Sequence, residues 1–156
     1  LRLLLLGLAL TPLRRLLGQA AWPLRFRRLV GLYAFFYACL HLATYVVLDL
    51  GAYWQQVFAD IVKRPYITVG FAAWLLLVPL ALTSTRWAMR RLGRRWGLLH
   101  RAVYAAAALA VLHFLWLVKS DLREPLVYAA ILAALLGLRL YWRLRRTGPQ
   151  PPARGA

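Results

Sequence analysis

The chain has 156 residues, of which 63% are hydrophobic, and its 21 Lys and Arg outnumber four Asp and Glu for a formal net charge of +17. A mean hydropathy of +0.61, together with long apolar runs, excludes an ordinary water-soluble domain. The basic residues flank the apolar runs instead of forming a patch interleaved with aromatic side chains, which argues against nucleic-acid binding. The composition therefore predicts an all-α membrane protein.

Five apolar stretches follow one another along the chain. The first, Leu3–Leu13, is too short to cross a bilayer, which needs about 20 apolar residues, and it lacks the cleavage site of a signal peptide. We expect it to be a truncated N-terminal helix whose beginning lies upstream. The other four are long enough, or nearly so, to span the membrane: Leu29–Leu48, Tyr66–Thr83, Leu98–Val118 and Pro125–Trp142. The predicted fold is thus a helical bundle with four complete transmembrane helices plus the truncated helix.

The connecting segments predict the rest of the organisation. Between the first two spans, Gly51–Arg64 mixes aromatic and polar side chains in a way that is typical of a short interfacial helix. One membrane domain is expected over residues 1–146, and the proline-rich residues 147–156 are predicted to be a disordered cytoplasmic tail.

The charges predict the orientation of the bundle. Arginines cluster before the first span, between the second and third spans, and at the end of the fourth. All four acidic residues fall in the remaining loops, where basic residues balance them. By the positive-inside bias, the arginine-rich side is cytoplasmic.

The three histidines of the chain all lie in apolar segments, where an ionisable side chain is costly and marks a functional candidate. His41 lies eight residues before Asp49 and His113 lies six residues before Lys119, so both fall toward the outer side of their helices. His100 borders the arginine-rich loop, about 20 Å of helical rise from His113. The sequence therefore predicts an outer pair, His41 with His113, and a solitary inner His100.

Two histidines at one depth on separate helices can supply the axial ligands of a b-type haem. Zinc or copper is disfavoured because the spans contain no cluster of carboxylates or thiols, and no motif for covalent haem attachment occurs. The alternative for each histidine is a hydrogen bond that joins neighbouring helices. For His100, a second-haem ligand, a flavin or quinone site, and an interfacial residue all stay open, since an ideal helix turns it about 220° from His113.

Two arginines are further candidates for cofactor contacts. Arg91 lies in the arginine-rich loop Thr85–Arg95, which could hold a flavin phosphate, although the positive-inside bias alone would also place arginines there. Arg64 precedes Pro65 at a predicted helix start and could contact a haem propionate or an acidic partner, or anchor the helix end. No nucleotide-binding glycine motif occurs, so electrons would have to come from a separate reductase or a membrane quinone.

Three segments resemble a known family. Arg25–Gly51 (RFRRLVGLYAFFYACLHLATYVVLDLG) resembles the first histidine helix of the MsrQ (YedZ) family, the haem-binding membrane subunit of the bacterial periplasmic protein-methionine-sulfoxide reductase. Asp60–Ser84, with KRPYIT and LALTS, is similar to the loop and helix that follow in that family. Arg90–Asp121, with WGLLHR and a further histidine, is similar to its two-histidine helix. A wider resemblance is to the ferric-reductase-like transmembrane domain of NADPH oxidases.

The resemblance implies b haem bound through His41, His100 and His113, and flavin mononucleotide (FMN) near the cytoplasmic face. It implies an electron-transfer subunit in the bacterial inner membrane, with lipid around it, rather than the catalytic subunit of an oxidoreductase. Electrons would pass from the quinone pool or a cytoplasmic flavin reductase to a periplasmic molybdopterin enzyme that reduces methionine sulfoxide in oxidised proteins. The alternatives are a ferric-chelate reductase or quinone-linked cytochrome of the same fold, and a non-redox transporter or assembly factor with packing histidines.

Overall fold

The computed structural model describes residues 1–18, 22–49, 51 and 53–147. This part of the chain is helical and contains no strand. The helices are, in chain order, α1 (Arg2–Leu16), α2 (Trp22–Thr44), α3 (Trp54–Lys63), α4 (Pro65–Leu82), α5 (Arg86–Leu92), α6 (Arg94–Leu99), α7 (Ala102–Leu117) and α8 (Arg123–Thr147). A π-helical segment, Tyr45–Asp49, continues α2.

Four helical segments within the described residues are long and apolar enough to cross a membrane: Phe26–Leu48, Pro65–Leu82, Arg94–Leu117 and Arg123–Arg145. With α1 as an additional N-terminal helix, the predicted all-α membrane fold is confirmed. Three of the four spans extend further into basic sequence than the apolar runs do. Arginine is a good helix former, and its long side chain can bring the charge to the membrane surface, so the helix need not end where hydropathy falls.

The core of the bundle is the close pair of α4 and α7, around which α1, α2 and α8 pack. Ala106 and Ala107 on α7 are fully buried, with 0% exposure. Their small side chains let neighbouring helices approach closely, as is usual at helix crossings inside membranes. Leucines of α1 fill the two sides of this alanine pair, with Leu4 in the cluster around Ala106 and Leu8 in the cluster around Ala107.

The segment predicted as an arginine-rich loop, Thr85–Arg95, is largely helical, which corrects the prediction. Thr85 caps α5 because its side chain accepts a hydrogen bond of 3.1 Å from the backbone N–H of Ala88. Gly93, with φ of 48°, separates α5 from α6. The helical direction then continues from α6 into α7 through His100 and Arg101, which both keep right-handed backbone angles.

Two other expectations concern the connections and the end of the chain. The short helix predicted within Gly51–Arg64 is present as α3, whose Val57 is buried while Phe58 and Val62 are exposed. The predicted tail begins at Thr147, which the structure makes the last residue of α8. Residues 148–156 lie outside the described residues.

Candidate haem site

The structure brings two of the three histidines together. The ring centres of His41, on α2, and His113, on α7, lie 6.2 Å apart, and the ring planes meet at 72°. His41 is followed one turn later by the π-helical segment Tyr45–Asp49, a departure from α-helix that often marks functional positions. The pair lies at the end of the bundle opposite the arginine-rich segment α5–α6.

The spacing of this pair fits a single iron atom held between the two rings. The centre of an imidazole lies about 1.1 Å from its nitrogen atoms, and bonds between a metal and an imidazole nitrogen are about 2.0–2.1 Å long. Two imidazoles facing each other across one metal therefore have centres about 6.2–6.4 Å apart. The observed separation of 6.2 Å agrees with that arrangement.

A backbone carbonyl of α4 is the hydrogen-bond partner of one ring nitrogen of His113. Its Nδ1 lies 2.7 Å from the backbone carbonyl oxygen of Tyr66. Because a carbonyl only accepts hydrogen bonds, Nδ1 is the donor, and in the neutral imidazole the lone pair is then on Nε2. Metal-bound histidines are commonly oriented by such a bond from the other ring nitrogen. His113 is thus in the tautomer that a ligand through Nε2 requires.

Gly70 creates the space into which the His113 ring fits. A Cβ atom added at Gly70 would lie 2.6 Å from Nδ1 and 2.8 Å from Cε1 of His113. Gly70 is one helical turn beyond Tyr66, so the same face of α4 supplies both the carbonyl acceptor and the gap for the ring. Sequence reasoning missed both residues. The available signal was an isolated glycine inside an apolar span, which costs about 1 kcal/mol relative to alanine and often has a packing reason.

A second contact holds α2 against α4 near the histidine pair. The indole Nε1 of Trp74, one turn beyond Gly70, donates a hydrogen bond of 3.3 Å to Sγ of Cys39. Cys39 is two residues before His41 on α2. The Trp74 ring also stacks on Phe71 and Phe35, with centre separations of 5.7 and 6.5 Å. These contacts set the position of the His41 helix relative to α4.

Arg64 belongs to a polar network beside the pair. Its Nε lies 3.4 Å from Oδ1 of Asp60, and its Nη1 donates to the Tyr66 hydroxyl at 3.2 Å. Asp60 is 8% exposed and also accepts a hydrogen bond of 2.9 Å from the Tyr45 hydroxyl. The Tyr66 hydrogen bond and the Asp60 charge raise the pKa of Arg64, which stays protonated. The network joins the end of α2 to α3 and to the start of α4, so Arg64 anchors the helix that orients His113.

His100 lies apart from the other two histidines. Its ring stacks on Trp96 with centres 4.0 Å apart, and its Nδ1 is 3.2 Å from the Trp96 carbonyl oxygen. Trp96 in turn donates from Nε1 to the Thr83 carbonyl at 3.0 Å. These bonds fasten the junction of α6 and α7 to the end of α4.

Arg91, the other arginine singled out in the sequence, lies on α5. Its guanidinium carbon is 5.0 Å from the centre of the Trp87 ring, a cation–π contact at the surface. Within the part of the chain that the structure describes, no three His, Cys, Asp or Glu side chains come together to hold a metal ion.

Comparison with known proteins identifies the family. Residues 1–111 match the family described as ferric reductase like transmembrane component. The chain is 62% identical over 158 residues to the protein-methionine-sulfoxide reductase heme-binding subunit MsrQ of Xanthomonas axonopodis pv. citri, an alignment that covers 97% of this chain and 72% of that protein. The chain belongs to the MsrQ family.

Other MsrQ proteins show the same degree of similarity. The protein of that name from Xanthomonas campestris pv. campestris is 64% identical over 159 residues, covering 98% of this chain and 72% of the relative. The MsrQ of Rhodospirillum rubrum is 59% identical over 151 residues, covering 95% and 72% respectively. No solved structure matches the chain significantly.

Proposed function

We propose that this member of the MsrQ family is a membrane cytochrome b subunit of a methionine-sulfoxide reductase system, in which His41 and His113 would hold the iron of one haem. The observation that carries the proposal is the 6.2 Å pair of imidazoles, one of which has Nδ1 engaged by a backbone carbonyl. The names of the relatives, which are heme-binding subunits, agree with this function.

The chain's own residues prepare this site before any cofactor binds. The Tyr66 carbonyl accepts a hydrogen bond from Nδ1 of His113, whose ring centre lies 6.2 Å from that of His41. Gly70 leaves room for the ring, and the Cys39–Trp74 hydrogen bond fixes the helix that carries His41. A bound b haem supplies a carrier for one electron at a time.

We further propose that electrons leave the protein at the end where the histidine pair lies. The positive-inside bias assigns the arginine-rich end to the cytoplasm, which puts His41 and His113 near the periplasmic face of the inner membrane. The acceptor is then a periplasmic molybdopterin enzyme that reduces methionine sulfoxide in proteins. The donor is the quinone pool or a cytoplasmic flavin reductase. FMN binding, with Arg91 as a candidate contact, and the role of His100 as an inner ligand stay predictions of the resemblance.

The orientation can be tested with reporter fusions in a bacterial host. Alkaline phosphatase, which is active only outside the cytoplasm, is expected to be active when inserted after Ser120 and inactive when inserted after Arg91. A fluorescent protein that folds in the cytoplasm should give the opposite pattern. Activity of alkaline phosphatase inserted after Arg91 would place the arginine-rich end outside the cytoplasm. That result would contradict the proposed direction of electron flow.

Re-oxidation of the reduced protein distinguishes the proposed function from a ferric-chelate reductase. The dithionite-reduced full-length protein in vesicles is expected to lose its reduced haem spectrum only when both the periplasmic molybdopterin enzyme and a methionine-sulfoxide substrate are added. Ferric citrate is the control acceptor. Rapid re-oxidation by ferric citrate, with none by the enzyme and its substrate, would favour the ferric-chelate alternative.

A further inference from the structure

The arginine-rich end of the bundle contains a second polar site, centred on Arg139 in α8. The guanidinium of Arg139 donates from Nη2 to the backbone carbonyl of Leu8 and from Nη1 to the Tyr104 hydroxyl. The Leu8 carbonyl is free of its usual helical partner because the residue four positions later is Pro12, which has no N–H. Groups from α1 and α7 therefore hold an arginine inside a membrane-spanning helix without the help of a carboxylate.

Other arginines lie at the same end of the bundle. Arg15, at the end of α1, lies over the Trp142 ring with its guanidinium carbon 4.5 Å from the ring centre. The positive charges of Arg15 and Arg27 both act on Arg139. Arg14 is at the same end of α1, one helical turn beyond Thr11, and its Nε is buried. These four residues are called the arginine cluster: Arg14, Arg15, Arg27 and Arg139. Four like charges at the end of a low-dielectric bundle repel one another, and an anion bound among them would offset that repulsion.

No acidic side chain of the chain supplies that anion. Asp49 and Asp60 lie between the end of α2 and the start of α4, Asp121 lies between α7 and α8, and Glu124 is in the first turn of α8, all at the opposite end of the bundle. Among the described residues, Nε of Arg14, Nε of Arg139 and Oγ1 of Thr11 are buried and have no hydrogen-bond partner. All three can donate a hydrogen bond. Buried donors of this kind are rare in folded proteins, because leaving them without an acceptor is costly.

An apolar groove shows what kind of anion would fit. The groove lies between α7 and α8, has a volume of about 280 Å³ and is lined by residues that include Ala108, Leu112, Ala133 and Leu136. Tyr104 and Arg139 lie one helical turn beyond Ala108 and Leu136, toward the arginine cluster. An acyl chain suits such a groove, and basic pockets between membrane helices on the positive side bind anionic lipid headgroups.

We propose that the arginine cluster binds the phosphate of an anionic phospholipid whose acyl chain occupies the groove between α7 and α8. Phosphate oxygens accept charge-assisted hydrogen bonds from guanidinium groups, so they match the donors of Arg14, Arg139 and Thr11. The lipid joins the end of α1 to α7 and α8. This site is separate from the histidine pair and does not depend on the proposed redox function.

The test compares lipids of different charge on the purified full-length protein in neutral detergent. Phosphatidylglycerol is expected to raise the Tm by roughly 5 °C at saturation, and native mass spectrometry should detect the retained lipid. Phosphatidylcholine, which has no net charge, should give no shift. An equal shift with phosphatidylcholine would overturn the proposal.

Matched variants locate the site. Arg14→Gln is expected to weaken phosphatidylglycerol binding about tenfold, the effect of losing a charge-assisted hydrogen bond. Thr11→Val, which removes a hydroxyl that has no partner, should also reduce the lipid-induced shift without impairing folding. Arg90→Gln changes the charge equally at an exposed position of α5 and should bind lipid like the wild type. If Arg90→Gln weakens binding as much as Arg14→Gln does, the attraction is diffuse and the proposal is wrong.

Two further measurements separate the phospholipid from other anions. Inorganic phosphate and FMN are added in lipid-free detergent, and neither is expected to reproduce the Tm shift. If either one does, the cluster binds a soluble phosphate and the lipid assignment is wrong. Haem content should be unchanged in Arg14→Gln; loss of haem instead of lipid would show that the cluster serves a haem carboxylate.

Discussion

The substitution His113→Ala is expected to remove the haem that His41 and His113 hold in the full-length protein. His113 offers Nε2 as a ligand because Nδ1 donates its proton to the Tyr66 carbonyl, and His41 lies at the spacing for the opposite ligand. Removing groups that only support a metal ligand lowers metal affinity about 10–100-fold. Loss of the ligand itself, in His113→Ala or His41→Ala, should lower haem affinity by more than about 100-fold.

The measurement is the Soret band before and after dithionite reduction, together with the haem content of the purified protein. His100→Ala is the control, since His100 contacts Trp96 instead of the histidine pair. This variant is expected to keep the haem held by His41 and His113. Full haem content in both His113→Ala and His41→Ala would exclude the proposed ligand pair. A colourless, folded wild type from cells supplied with haem would exclude the redox function altogether.

Gly70→Ala is expected to impair haem binding although it changes neither ligand. The new methyl group would lie 2.6 Å from Nδ1 of His113, well inside van der Waals contact, so the ring must move away from α4. That movement breaks the hydrogen bond to the Tyr66 carbonyl and changes the direction of Nε2. Loss of such a supporting bond lowers metal affinity about 10–100-fold. Haem titration of the apoprotein, monitored by the Soret band, measures the effect.

The control for this variant is Gly137→Ala in the middle of α8, where an added Cβ meets nothing within 4 Å. Alanine is the better helix former by about 1 kcal/mol, so Gly137→Ala should leave haem affinity unchanged and the Tm equal or slightly higher. Gly70→Ala gains the same helix propensity. A lower haem affinity in Gly70→Ala alone therefore reports the collision with His113. Wild-type affinity in Gly70→Ala would show that Gly70 does not shape the site.

The parts of the fold that could be predicted from sequence depend on local properties of the chain. An apolar run of about 20 residues must form a helix in lipid, because only a helix satisfies its own backbone hydrogen bonds there. The four predicted spans therefore agree with the structure to within a few residues. The remaining differences are at the helix ends, because the switch from apolar to basic residues marks the membrane surface and not the last helical turn. Thr85 caps α5 in a segment whose low hydropathy predicted a loop, so a polar segment between two spans can still be helical.

For the histidines, too, the sequence predicts what depends on a single helix and does not predict what depends on helix packing. Counting residues from the flanking charges placed His41 and His113 at one depth, which is a property of each helix alone. It could not show that the two rings face each other, because rotation of a helix about its axis depends on what packs around it. Here that packing includes the Trp74–Cys39 contact and the fit of the His113 ring against Gly70.

Sequence by itself determined the number of spans and where along each span the charges and histidines lie, because chain length and hydropathy decide these one helix at a time. Only the tertiary structure decided which groups hydrogen bond to each polar side chain. The Tyr66 carbonyl orients His113, and the Leu8 carbonyl, released by Pro12, receives Arg139 from 131 residues away. The partner of a backbone acceptor carries no sequence signature, since every residue has a carbonyl. Their partners are selected by helix packing, which brings distant parts of the chain within hydrogen-bonding distance.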